Sequence, residues 1–249
     1  MRCDVRFLLV IFFLAIVLSS CGDKDNGADE LNAEYDLLKS KQKSEEIKVE
    51  PQEEPEGSPY KLGIDYDLLK NPYATENAEQ VVVYEFFGYT CPHCFYFEPF
   101  IDKWLETKPQ HVKLQRVPLN FQQGWASLQQ AYLTAEVMGI TERSHTKLFE
   151  AIHNEHKKFN SIDELAEWFS QVLAIDKDEF LSTADSFILD SKQRKADKMG
   201  FQMQVTGTPS LVVNGKYKIS SKIRNRDEII NIMRHLIEQE AKEMGLISQ

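Results

Sequence analysis

"QVVVYEFFGYTCPHC", Gln80 to Cys94, is the stretch on which the fold turns. Its first ten residues, Gln80 to Tyr89, are mostly β-branched or aromatic, as in a strand buried on both faces. "CPHCFYFEPFIDKWLETK" follows at once. Phe97, Ile101, Trp104 and Leu105 recur there at helical spacing, and Pro92 suits a first turn, where its missing N–H leaves no bond unmade. One helix is expected, kinked at Pro99. "HVKLQRVPLNF", His111 to Phe121, then returns as a strand. Strand, helix, strand, with Cys91 and Cys94 at the helix N-terminus, is the seed of a sheet covered by helices.

Outward from this seed, "YKLGIDYDLL" predicts an edge strand leading in. From about 122 to 199 the chain reads as helix after helix. "WASLQQAYLTAEVMGI", "HTKLFEAIHNEHKKF" and "SIDELAEWFSQVLAI" carry apolar residues at three- and four-residue steps, and "NSIDEL" and "AIDKDEF" supply start signals. "TPSLVVNGKYKI" is a hairpin about Asn214–Gly215, and an amphipathic helix spans Arg226 to about Met244. The expected class is α/β, a sheet interrupted by an all-helical insert.

The N-terminus reads as a targeting device. "FLLVIFFLAIVL", Phe7 to Leu18, is too short to cross a bilayer comfortably and fits the apolar core of a signal. It ends in "LSSC", Leu18 to Cys21, which resembles the bacterial lipoprotein signal, with cleavage before Cys21 and lipid on its thiol. A plain signal peptide or an uncleaved anchor is the competing reading. The expected division is a leader at 1–21, a polar and acidic tether at 22–59 with no apolar face to bury, and a folded domain at 60–249. The string "YDLLK" occurs at Tyr35 and again at Tyr66, too little for a repeat.

With Cys3 lost in the leader and Cys21 modified, Cys91 and Cys94 are the remaining thiols. An exported chain meets an oxidising compartment, and a pair this close closes too small a loop to act as a staple. The net charge of −10 leaves no basic excess to neutralise phosphates, which argues against nucleic-acid binding.

A thiolate, not a thiol, attacks disulfides and binds metals. Cys91, at a helix N-terminus, meets unpaired N–H groups and the positive end of the dipole. His93 is expected to add a hydrogen bond or positive charge. Lowering a thiol pKa by two units favours the thiolate by about 2.7 kcal/mol. That stabilises the reduced form and moves a two-electron couple by about 60 mV towards oxidising. Cys91 is therefore expected as the exposed nucleophile and Cys94 as its buried partner. Zinc is the competing chemistry, but it wants four ligands, and the pair with His93 offers at most three. Neither a metal nor a cofactor is expected. Glu85, a carboxylate inside an apolar strand, is expected to titrate high or to reach water, with a proton relay to Cys94 as one use. The alternative is a carboxylate at a strand end facing solvent. "VTGTPS", Val205 to Ser210, puts a proline at a strand start, where a cis bond is allowed but not dictated.

"YEFFGYTCPHC", "VTGTPSLVVNGKY" and a helical insert between them resemble the DsbA family of thiol–disulfide oxidoreductases, from about Gly63 to Met244. That resemblance implies a thioredoxin-like fold, with Cys91 as nucleophile, Cys94 as resolving cysteine and Pro92–His93 as the dipeptide that sets the pair's reactivity. It further implies a cis Pro209 facing the pair and shaping a substrate-binding groove, and Glu85 as a buried acid beneath the site. A depressed nucleophile pKa is already a known trait of this family, so the direction argued above is not independent of it. Implied partners are unfolded or partly folded exported proteins with cysteine pairs, and a DsbB-type membrane protein that passes electrons to quinone. A monomer, held by lipid at the periplasmic face of a bacterial membrane, is expected.

Two features depart from the family's best-known members. One is the lipid signal and tether; Gly22 after Cys21 leans towards the outer membrane, and ~38 flexible residues span only roughly 35 Å. The other is Thr208, a residue also found before the proline of disulfide isomerases, whose hydroxyl near the sulfur is expected to soften the oxidising strength. The competing functions are an isomerase or reductase of the same superfamily, and a peptide-binding holdase whose cysteines are structural.

Overall fold

The computed structural model describes residues 58–75, 78–122 and 124–248. The leader, Cys21, nearly all of the tether and the first "YDLLK" lie outside the described residues.

Five strands form one sheet in the order β1-β5-β4-β2-β3. They are β1 Tyr66–Leu68, β2 Val81–Phe87, β3 Val112–Pro118, β4 Ser210–Val213 and β5 Tyr217–Ile219. β2 runs parallel to β3 and antiparallel to β4, and β5 pairs antiparallel with both β4 and β1. Every residue of β2 is buried, because strands flank both of its edges and helices cover both of its faces. The strand's alternation sorts its side chains. Val81 and Val83 join Phe97, Ile101 and Trp104 on one face, while Val82, Tyr84 and Phe86 join Met199 and Met203 on the other. Each such aromatic or aliphatic burial is worth about 1.5–3 kcal/mol.

The helix expected after Cys91 is two helices, α1 Pro92–Phe95 and α2 Glu98–Leu105. Pro99 occupies the first turn of α2. A single helix would drive its ring against the carbonyl of Phe95 and leave that carbonyl without a donor, so the chain breaks instead of kinking. The second helix then turns Phe97, Ile101 and Trp104 onto the sheet.

The helical segment holds α3 Trp125–Val137, α4 Thr141–His153, α5 Ile162–Leu173, α6 Lys177–Ala184 and α7 Phe187–Gln202. The start signals are real caps: Ser161 Oγ accepts from the Glu164 N–H at 3.2 Å, and Asp176 from that of Glu179 at 2.8 Å. α7 outlasts the expected boundary by three residues, and Ala196, Met199 and Met203 there cover the sheet. The end of the segment therefore belongs to the sheet's core.

The hairpin turns at Asn214 (φ 50°) and Gly215 (φ 63°), both left-handed, with three residues, Asn214 to Lys216, between the paired Val213 and Tyr217. It is tied to the last helix, α8 Arg226–Glu243, by Lys216, whose Nζ lies 2.9 Å from Glu240 and 2.7 Å from Glu243. Among the described residues no helix is long and apolar enough to cross a membrane.

Candidate active site

Cys91 is the N-cap of α1, and its sulfur does what a serine or aspartate oxygen does elsewhere, accepting from the Cys94 N–H at 3.4 Å. The chain can hold it there because Gly88 ends β2 against the ring of Trp125, too close for any Cβ. Both cysteines are thiols, and Cys94 is fully buried as expected; Cys91, at 9% exposed, is buried as well and not the exposed nucleophile expected, because it caps α1 against the Thr208 carbonyl.

The two sulfurs are pushed apart electrostatically. A hydrogen bond from the Cys94 thiol is the largest influence on Cys91. The Thr208 side chain and the backbone N–H groups of Cys94 and His93 add to it, and together they outweigh burial and hold Cys91 down at about 5 against an ordinary 9.0. Cys94 goes strongly the other way, first because it is buried and then because it faces Cys91. One sulfur is therefore an anion at neutral pH and the other a thiol.

Four of the expected residues, Pro92, His93, Thr208 and Pro209, lie around the sulfur. His93 acts on Cys91 through its peptide N–H, while its exposed imidazole lines the adjoining groove and makes no hydrogen bond to the sulfur. Pro92 sits at the first position of α1, as expected. Thr208 does touch the sulfur: its side chain favours the thiolate, and its carbonyl accepts from the thiol form at 3.4 Å. The two contacts act in opposite directions, the side chain favouring the thiolate and the carbonyl the thiol. The Thr208–Pro209 peptide is cis.

Glu85 does not face solvent at a strand end. It is fully buried, directly opposite Arg116 in the β2–β3 register, and Arg116 Nε donates to it at 3.1 Å. Burial, reinforced by the charge of Glu98 and opposed by Arg116, raises its carboxyl to about 7. The expected high titration is present, but the group is paired. Its direct partner is Arg116 and neither cysteine sulfur.

Four residues around it were not singled out from the sequence. Arg116 Nη2 also donates to buried Glu98 at 2.9 Å, and Glu98, raised to about 7 mainly by burial, lies 3.3 Å from His145 Nε2. Burial and the nearby Arg116 lower His145 to about 3, so its ring is neutral. A protonated Glu98 facing that neutral nitrogen would satisfy two atoms that otherwise lack partners. His145 Nδ1 then meets Tyr89 Oη at 2.9 Å, and Tyr89 stands two residues before Cys91. Arg116 carries no signal of this in the sequence, because its strand, VKLQRVP, also holds Lys113 and Gln115. His153, also passed over, bonds the Tyr89 carbonyl at 2.7 Å and stacks on Phe95 of α1 at 4.7 Å. Among the described residues no group of three or more His, Cys, Asp or Glu side chains is placed to hold a metal ion.

The geometry has close relatives. The DSBA-like thioredoxin domain matches residues 82–227. A curated protein of Pseudomonas aeruginosa, "Thiol:disulfide interchange protein DsbA", is 38% identical over 182 residues, covering 73% of this chain and 86% of its own. Its namesake in Azotobacter vinelandii is 37% identical over 181 residues, covering 72% and 84%. The crystal structure of Pseudomonas aeruginosa DsbA superposes with a TM-score of 0.70 at 38% identity, covering 74% of this chain and 96% of that one. The oxidoreductase DsbA from Xylella fastidiosa gives 0.67 at 30%, covering 71% and 95%.

Proposed function

The chain belongs to the DSBA-like thioredoxin-domain family, and from that membership and the state of Cys91 we propose that it is a thiol:disulfide oxidoreductase that donates the Cys91–Cys94 disulfide to cysteine pairs of exported proteins. The observation that carries the direction is the thiolate of Cys91, held near pH 5 by its neighbours. At pH 7 a thiol titrating near 5 instead of 9 is favoured as the anion by about 2.7 kcal/mol, and so is the reduced form. That amounts to about 60 mV in a two-electron couple. The effect to expect is thus tens of millivolts.

In the exchange a substrate thiolate attacks Cys91 Sγ and the bond to Cys94 breaks. Cys94 leaves and takes a proton, because its buried site disfavours the anion. The second substrate thiolate then attacks the substrate sulfur bonded to Cys91, and Cys91 leaves as a thiolate that its site already favours. Two electrons pass to the enzyme. Of the two substrate protons, one is balanced on Cys94 and one goes to solvent. We assign the Cys94 proton to Glu85, whose carboxyl titrates at about 7, through at least one intermediary. Pro92 and His93 shape α1 so that its N–H groups face Cys91, and Thr208 and Pro209 form the lip on which the substrate chain lies. The Thr206 backbone has no hydrogen-bond partner among the described residues, leaving it open to an extended peptide.

The same proposal places the chain in the periplasm, held by lipid at Cys21, with a DsbB-type membrane protein as reoxidant. It is tested by substitution. Cys91→Ser should abolish oxidation of a reduced exported protein, while Cys94→Ala should accumulate mixed disulfides through Cys91, visible on non-reducing gels. If neither the wild type nor Cys91→Ser oxidises the substrate while both keep it from aggregating equally well, the protein is instead a holdase.

A further inference from the structure

Beside the Thr208–Pro209 loop runs a groove of about 520 Å3 whose charge the exchange chemistry does not use. His93 and Pro209 line the part nearest Cys91; Lys218, Lys222, Arg224 and Arg226 line the rest. Asp67 is its sole lining carboxylate, and it stands opposite Lys218 in the β1–β5 register. Lys218 is further occupied by the Gln204 carbonyl, 2.9 Å from its Nζ. Lys222 and Arg224 are exposed and Arg226 is half-buried. Among the described residues none of these three is paired with a carboxylate. Asp227 and Glu228 follow on the first turn of α8 but do not line the groove. Arg226 is held against α1 and α2, its guanidinium 5.9 Å from the Tyr96 ring centre and 6.0 Å from that of Phe100.

Three cations without a carboxylate partner, in the groove that adjoins the Thr208–Pro209 loop, run against a chain of net charge −10. We propose that this groove selects acidic stretches of the substrate polypeptide next to the cysteine being oxidised, a specificity that rests on the disulfide-donor reading. A groove lined by one sign of charge raises the local concentration of the opposite sign and speeds encounter in a salt-dependent way. The occupant fits in shape as well. Thr206 and Pro209 line the same groove as the cations, so an extended chain seated there meets both.

Binding can be measured apart from catalysis. Three peptides of equal length, with serine in place of cysteine and Glu, Gln or Lys on one flank, are titrated into the full-length protein. Their cysteine counterparts are assayed for oxidation. The Glu peptide should bind at least about tenfold more tightly than the Lys peptide at low salt, with Gln between, and the spread should collapse at high salt. K222E/R224E should invert the order. Equal binding of all three, no binding of the Glu peptide, or a preference for Lys overturns the proposal. So does binding to anionic phospholipid vesicles, lost in K222E/R224E, without discrimination among the peptides. If the Glu preference in binding holds while none of the cysteine peptides is oxidised, the groove stands and the donor reading falls.

Discussion

Replacing Arg116 with leucine should destabilise the protein by about 3–5 kcal/mol near pH 8, and by well under half of that near pH 5. Arg116 is the one cation bonded to both Glu85 and Glu98, and both carboxyls are buried and raised to about 7. A carboxyl whose pKa is higher folded than unfolded binds more protons in the folded state. Its ionisation therefore subtracts stability as pH rises from the unfolded value of 4.5 towards about 7. Arg116 limits that loss by opposing the rise. Without it both carboxyls titrate still higher, and the loss extends above pH 7. Near pH 5 they are neutral with or without Arg116, so its removal costs little beyond packing. Urea denaturation of both proteins at the two pH values decides the matter; a loss independent of pH would mean that Arg116 acts only by filling space.

The second large effect concerns the redox state. The reduced protein should be more stable than the disulfide form by about 2.7 kcal/mol at pH 7. Cys91 titrates near 5 when folded and near 9 when unfolded. Its stabilising contribution is thus complete above pH 9, partial at pH 7, and lost as pH falls through 5. The disulfide form has no thiolate to stabilise, and its bond closes too small a loop to constrain the unfolded chain much. At about 2–4 °C per kcal/mol, the reduced form should melt about 5–10 °C higher at pH 7, and the gap should close near pH 4. Calorimetry of both forms across this range gives the answer, and a disulfide form that melts higher at pH 7 would reverse the proposed direction of transfer.

Much of this site is local in the chain, and that part was legible. Cys91 and Cys94 fall within one helical turn, so their unequal environments follow from spacing alone. β2 announces itself because a strand buried on both faces has no polar alternation to hide it. The Asn214–Gly215 turn is required by backbone sterics. What escaped depends on contacts between distant segments. Glu85 and Arg116 are 31 positions apart and meet only through the parallel register, which no single-strand pattern reveals. His145, 56 positions from Tyr89, meets Tyr89 and Glu98 only through the packing of α4. Thr208 reaches the sulfur from 117 positions away, a contact that no local pattern shows. The break between α1 and α2 was underread: Pro99 signalled a kink, and its clash with the Phe95 carbonyl ends the helix outright.

The direct test of the central claim is to titrate the purified reduced protein while following thiolate absorbance in the ultraviolet, with Cys91→Ser as the blank. One sulfur should ionise with a midpoint near pH 5, and that transition should vanish in the blank. A single midpoint near the ordinary value of 9.0 would leave Cys91 no better an anion than a free thiol, and the disulfide no reason to leave this protein.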